Sequence, residues 1–272
     1  MSFLLHDEFE EFAPAEFRSP ERADGQTARP SVQAVSLSQE YKFRIPDVGP
    51  IFGRERLVDL VRLSVEQYGA TLISGRAGTG KTILAADFAR RGSKAAWYSI
   101  EAADAEWPQF AESLAHAWRV KTGHLNRALT PSPDAAQISR LLMHFLGNGK
   151  HHSRGVLVLD DVHHLFDAGW FPEFFRQMIV ALDPKTRLLM LCRSRPSAPL
   201  WRLRSKQMLN VIDESIINLT RGESREICAE RGLSEVVADE AYDLAFGNIA
   251  KLVKILDNIA PRTVFAGAHR AF

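Results

Sequence analysis

The chain has 272 residues, 46% hydrophobic and 25% charged, with a formal net charge of +1 at pH 7. That composition allows one large domain or a domain plus a small appendage, and it excludes an overall electrostatic pull toward nucleic acid or membrane, so any basic face must be local. Cys192 and Cys228 form neither a CxxC nor a disulfide framework. The acidic N-terminus has no signal-peptide core, and no apolar run nears the ~18 residues of a membrane span, so a soluble cytoplasmic protein is expected, with no membrane partner.

Residues 1–45 mix acids, prolines and small polar residues without sustained periodicity and read as a disordered N-terminal extension. Within it, "FLLHDEFEEF" sets Phe3, Leu4, Leu5, Phe9 and Phe12 among acids, as either a solubilising tail or a short docking helix. From Gly53 onward Leu57, Val58, Leu60, Val61 and Val65 recur at helical spacing. "ATLIS" (70–74) reads as a strand, 81–91 as a helix, "AAWYS" (95–99) as a strand and 107–118 as a helix. The helix over 132–147 has Ser132 as its expected cap, Pro133 in its first turn and Gly147 as its stop. "GVLVLD" (155–160) and "RLLMLC" (187–192) are apolar for most of their length, as strands covered on both faces should be. A last short strand is expected in "SIINL" (215–219), and 221–260 reads as three helices. Alternating strands and helices predict an α/β fold, a parallel sheet layered between helices. The expected units are a nucleotide-binding domain over 46–219, a helical lid over 220–262 and a tail over 263–272.

Gly75-Arg76-Ala77-Gly78-Thr79-Gly80-Lys81-Thr82 fits G-x-x-x-x-G-K-[ST] between a predicted strand and a predicted helix, with Ile83 next in line. Glycines let backbone N–H groups turn inward and approach phosphates, and the following helix adds the positive end of its dipole. Lys81 supplies a charge for the β- and γ-phosphates, and the Thr82 hydroxyl is placed to ligate Mg²⁺. In "VLVLDDVHHL", Asp160 falls at the carboxyl end of a strand, the edge where open α/β sheets bind ligands, and is the expected second holder of Mg²⁺. Asp161 is the candidate for orienting an attacking water, one methylene shorter than a glutamate would be. His151, His152, His163 and His164 lack zinc-framework spacing. Turn or surface roles are expected for them, with γ-phosphate sensing or a hydrogen bond near Asp161 open to His163.

"LCRSRPSAPLWRLRSKQ" gathers Arg193, Arg195, Arg202, Arg204 and Lys206. Arg193 follows the strand expected beside that of Asp160 and can report the γ-phosphate. Arg202, Arg204 and Lys206 read as a solvated basic face, or as a contact for an acidic partner, a neighbouring subunit's nucleotide or DNA.

Together "FGRE" (52–55), the phosphate loop, "AAWYSIEAADAEWPQFAESLAHAW", "LVLDDVHHL", "CRSRPSAPLWRLR", "ICAERGLS" and "AYDLAFGNIAKLVKIL" resemble the STAND ATPases, specifically the maltose-activator-like branch, over about residues 49–257. The resemblance implies a P-loop NTPase three-layer sandwich with strand order 5-1-4-3-2 and a helical lid. It implies ATP or ADP as ligand, Phe52, Gly53 and Arg54 near the adenine, Asp160 and Asp161 in the Mg²⁺ and water roles, and Arg193 as sensor. Family members act as switches in which ADP holds a closed form and ATP permits assembly. Gly247-Asn248-Ile249 stands where the family often has Gly-x-Pro in the lid, which removes the expected proline contact with nucleotide. The chain stops at Phe272 with no room for the family's output domains, so output is expected through a separate protein partner or a nucleotide-dependent homo-oligomer. Origin-recognition-like AAA+ proteins are a second resemblance, through "IFGRE" and "GNIAKL", although their lid arginine would align with Ala250 and Lys251 is an imperfect substitute. The functions in view are a slow ATPase switch, a DNA-associated loader or adaptor, and a module that holds nucleotide without turnover.

Overall fold

The computed structural model describes residues 37–48, 54–92, 94–118, 130–147, 155–182, 186–195 and 200–259. The N-terminal "FLLHDEFEEF", Phe52, Gly53, His151, His152 and the expected tail over 263–272 lie outside the described residues.

Strands β1 (Ala70–Ser74), β2 (Ala95–Ser99), β3 (Gly155–Asp160), β4 (Thr186–Cys192) and β5 (Leu209–Ile212) form one sheet in the order β2-β3-β4-β1-β5. Each neighbouring pair is parallel. The expected order is thus borne out, read from the opposite edge. Parallel neighbours need crossovers, and helices supply them. The helices are α1 (Glu55–Gln67), α2 (Lys81–Gly92), α3 (Trp107–Ala117), α4 (Ala135–Gly147), α5 (Phe171–Ala181), α6 (Leu200–Ser205), α7 (Glu214–Ile217), α8 (Arg221–Glu230), α9 (Glu235–Ala245) and α10 (Ile249–Ile259).

Successive side chains of a strand point to opposite faces. Leu72, Leu157, Leu188 and Met190 therefore join Trp107, Phe110, Leu141 and Phe174 on one side of the sheet. Ile73, Val158, Leu189 and Leu191 join Leu57, Val61, Leu84 and Phe88 on the other. Both faces are covered by helices, so the central strands have no polar alternation. Each large side chain fully buried in this way contributes roughly 1.5–3 kcal/mol.

α8, α9 and α10 enclose a smaller core of their own around Ile227, Cys228, Ala238, Ala241, Leu252 and Leu256. α8 opens with a capping box: the Glu223 N–H donates to Thr220 Oγ1 at 3.2 Å, and the Thr220 N–H donates to Glu223 Oε2 at 2.8 Å. Among the described residues no helix is long and apolar enough to cross a membrane.

Three expectations change. The segment 215–219 is not a strand: Glu214–Ile217 form α7, which buries Ile217 and leaves Ile216 40% exposed, and the last strand is the preceding Leu209–Ile212. The cap of α4 is Asp134 rather than Ser132. Its Oδ1 accepts the Gln137 N–H at 2.7 Å, and Gln137 Oε1 accepts the Asp134 N–H at 2.9 Å. Finally, Leu37–Phe43, inside the extension expected to be disordered, form a 3-10 helix. Lys42 from that helix is buried, 3.1 Å from Asp104 Oδ2 and 2.9 Å from Glu101 Oε2. The two carboxylates offset the cost of burying that ammonium, and Phe43 anchors the segment by packing on Tyr98 and His116, with ring centroids 5.7 and 4.3 Å away.

Candidate nucleotide site

Strand register determines what meets at the carboxyl edge. Ser74 at the end of β1 pairs with Cys192 at the end of β4, and Ser99 of β2 pairs with Asp160 of β3. The loops after β1, β3 and β4 consequently emerge side by side.

The loop after β1 is fastened at its root by the Gly75 N–H, which donates to the Cys192 carbonyl at 3.2 Å. Beside that root, burial pushes the Cys192 thiol up to about 11. Glu214 at the start of α7 accepts the Arg76 N–H at 2.9 Å and Arg76 Nε at 2.7 Å. Thr79 Oγ1 donates to the Arg76 carbonyl at 2.9 Å, closing the loop on itself. Gly78 and Gly80 adopt φ of 81° and 88°, the left-handed region that glycine enters without a Cβ penalty. Lys81 Nζ donates to the carbonyls of Gly75 at 2.5 Å and Arg76 at 2.9 Å. Burial lowers the pKa of this ammonium. Lys81, Thr82 and Ile83 form the first turn of α2, whose amides have no helical acceptor and whose dipole favours an anion.

Opposite this turn, Thr82 Oγ1 donates to Asp160 Oδ2 at 3.0 Å. Asp160 is only 4% exposed, and its Oδ1 accepts the Asp161 N–H at 2.9 Å. Burial first, then the neighbouring Asp161 charge, raise its pKa to about 6. Asp161 has a left-handed backbone with φ of 55°, uncommon for a residue other than glycine but tolerated by aspartate. Its Oδ1 lies 3.5 Å from His163 Nδ1 and 3.8 Å from Arg193 Nε. Burial lowers the pKa of His163. The structure therefore gathers His163 and Arg193 around the Asp161 carboxylate.

Arg54 is buried, with its guanidinium donating to the Ile217 carbonyl and lying 3.6 Å from Glu223 Oε2. It reaches toward the loop as well, 3.5 Å from where a Cβ on Gly80 would sit. Farther along the chain, Arg195 pairs with Asp213 at 2.5 Å, and Arg204 and Lys206 are exposed on and just after α6. Among the described residues no three His, Cys, Asp or Glu side chains cluster as a metal cage.

Two contacts were not foreseen from the sequence. Asn248 Nδ2 donates to the Ala77 carbonyl at 3.0 Å, and the Ala250 N–H donates to the Gly78 carbonyl at 3.1 Å. The helical unit thus rests on the phosphate loop at the Gly247-Asn248-Ile249 turn, where the sequence departs from Gly-x-Pro. That departure was the available signal. For Glu214, some 140 positions from its partner, none was available.

The profile of the AAA ATPase domain family matches residues 50–201, a span that includes the whole loop, Asp160, Asp161 and Arg193. The transcriptional regulator MalT of Yersinia enterocolitica is 33% identical over 161 residues, covering 57% of this chain and 18% of that protein. MalT of Yersinia pestis (strain Pestoides F) gives the same figures. The match thus spans less than a fifth of these relatives' length. Among solved structures, the Walker-type ATPase of Pyrococcus abyssi covers 79% of this chain and 71% of its own, at 15% identity and a TM-score of 0.48. The Aeropyrum pernix ORC1 protein, solved with DNA, covers 79% and 62%, at 18% identity and a TM-score of 0.49. With more than half of its residues matched, the chain belongs to the AAA ATPase domain family and has the P-loop NTPase α/β fold.

Proposed function

We propose that this chain binds ATP together with Mg²⁺, hydrolyses it slowly, and acts as a nucleotide-controlled switch for a separate protein partner. The observation that supports this best is the 3.0 Å contact between the Thr82 hydroxyl and the Asp160 carboxylate beside the phosphate loop. A hydroxyl and a buried carboxylate are both hard oxygen donors, which suits magnesium. Bound there, the ion would neutralise charge on the phosphate oxygens.

The chain's own groups divide the remaining work. The amides of the loop and of the first turn of α2 would orient the phosphates, and Lys81 would exchange its loop carbonyls for phosphate oxygens. Asp161 would take a proton from water as the water oxygen joins the terminal phosphorus. The bond from that phosphorus to the bridging oxygen breaks, leaving ADP and inorganic phosphate. Arg193 lies 3.8 Å from Asp161 Oδ1, so the carboxylate that would meet the water already faces a cation. Arg193, 55% exposed, would in turn meet the γ-phosphate and distinguish ATP from ADP.

Calorimetry with ATP and Mg²⁺ tests the site. Lys81→Ala should weaken binding at least tenfold, and unchanged affinity refutes the assignment. Asp161→Asn should bind ATP yet release no phosphate; persistent release removes Asp161 from the reaction. Light scattering with ADP and with a non-hydrolysable ATP analogue tests assembly, since a homo-oligomeric switch changes mass between the two.

A further inference from the structure

Asn248 immediately precedes α10 and uses both ends of its side-chain amide. Its Oδ1 accepts the Lys251 N–H at 3.0 Å, capping the helix, while its Nδ2 donates to the Ala77 carbonyl at 3.0 Å. Two residues on, the Ala250 N–H donates to the Gly78 carbonyl at 3.1 Å. A helix provides no acceptor for an amide in its first turn, so the loop supplies one from outside. The approach is close enough to constrain the loop's own sequence. A Cβ on Gly78 would lie 2.7 Å from Asn248 Oδ1 and 3.0 Å from the Ala250 Cβ, and one on Gly80 would lie 3.1 Å from Ile249 Cγ2. The turn is held from behind as well, because the Leu219 N–H donates to the Gly247 carbonyl at 2.8 Å.

The peptide group is a rigid plane with its carbonyl and N–H pointing in opposite directions. Gripping the Ala77 carbonyl therefore sets the direction of the Gly78 N–H, and gripping the Gly78 carbonyl sets that of the Thr79 N–H. A donor on the carbonyl also polarises the amide at the other end, making it a better donor to an anion.

We infer that Asn248 is a positioning residue for nucleotide binding: it latches the α8–α10 unit onto the phosphate loop and pre-orients the amides that receive phosphate. The inference rests on reading that loop as the nucleotide site. Phosphate and helical unit act on opposite ends of the same two peptides, so each stabilises the other's position. The unit's seating is then read out through these loop peptides.

Asn248→Asp separates latching from capping. Aspartate caps a helix as well as asparagine does, but it has no donor for the Ala77 carbonyl. NMR hydrogen exchange at the Ala250 amide, without added nucleotide, tests the latch alone. The rate should rise at least tenfold in Asn248→Asp while the thermal midpoint stays near that of the parent chain. Equal rates overturn the latch. Calorimetry with ADP then tests the coupling. Asn248→Ala, which removes the donor without adding a charge, should bind about tenfold more weakly, the scale of one lost hydrogen bond, and Asn248→Asp, whose carboxylate also repels phosphate, more weakly still. Parent-like ADP affinity in Asn248→Asp, with Ala250 exchange accelerated, overturns the coupling but leaves the nucleotide site standing. ADP binding that survives Lys81→Ala unchanged overturns the nucleotide reading itself, and the coupling with it.

Discussion

Replacing Asp104 with asparagine tests the cost of leaving the buried Lys42 charge under the 37–43 segment without its buried partner. The Lys42 side chain is 4% exposed and that of Asp104 0%, with Lys42 Nζ at 3.3 and 3.1 Å from the two carboxylate oxygens. The Glu101 N–H also donates to Asp104 Oδ2 at 2.8 Å, and an asparagine oxygen can still accept it. Asp104→Asn therefore removes the charge and turns one of the two oxygens facing the ammonium into an amide donor. Breaking a buried ion pair on one side costs about 3–5 kcal/mol. Glu101 remains 2.9 Å from the ammonium, but its side chain is 43% exposed and compensates only in part. The expected loss is about 2–3 kcal/mol, a fall of roughly 4–12 °C in midpoint for a domain of this size. Lys42→Met should cost as much, because it strands the buried carboxylate. The pair of changes together should return to within about 1 kcal/mol of the parent chain, since no unpaired charge then remains buried. Scanning calorimetry on the four proteins gives the cycle. Strictly additive losses, or a single Asp104→Asn loss below about 0.5 kcal/mol, would refute the reasoning.

Gly78→Ala must strain a φ of 81° and force its Cβ against Asn248, so the α9–α10 turn should lift and its amides should exchange faster. Exchange rates matching the parent chain would count against the close approach. Leu252 is 0% exposed in the small helical core, and Leu252→Ala should cost about 2–5 kcal/mol locally. Amides of α8–α10 should then exchange faster while those of β3 and β4 hold; uniform acceleration would mean the two cores open together. Arg193→Ala should keep nucleotide binding but abolish the difference between ATP and ADP in protease protection, and a surviving difference removes Arg193 from the sensor role.

The central strands β3 and β4 were legible because they are apolar for most of their length, a pattern that burial on both faces imposes. The loop was legible because its chemistry fixes its spacing, and the 3.0 Å contact of Thr82 with Asp160 follows from β1 and β3 ending at the same sheet edge on either side of β4. β5 was not, because Asn210 interrupts a four-residue run, and its side-chain donor finds a partner far along the chain, Ser64 Oγ on α1 at 2.8 Å. Ile216 and Ile217 suggested a strand, yet the segment makes one helical turn with only Ile217 inside. Lys42 lay hidden for a related reason. Its partner Asp104 is 62 positions away, and nothing in "QEYKF" announces a buried cation.

Each of the two cores contains one thiol. Cys192 sits at the end of β4 in the sheet's core and Cys228 among α8–α10, and both are buried with burial raising their pKa. Shielded and protonated, neither reacts until its surroundings part. Alkylation followed by mass spectrometry thus reads two clocks in a single chain, one timing the sheet and the other the helical unit, with no engineered label.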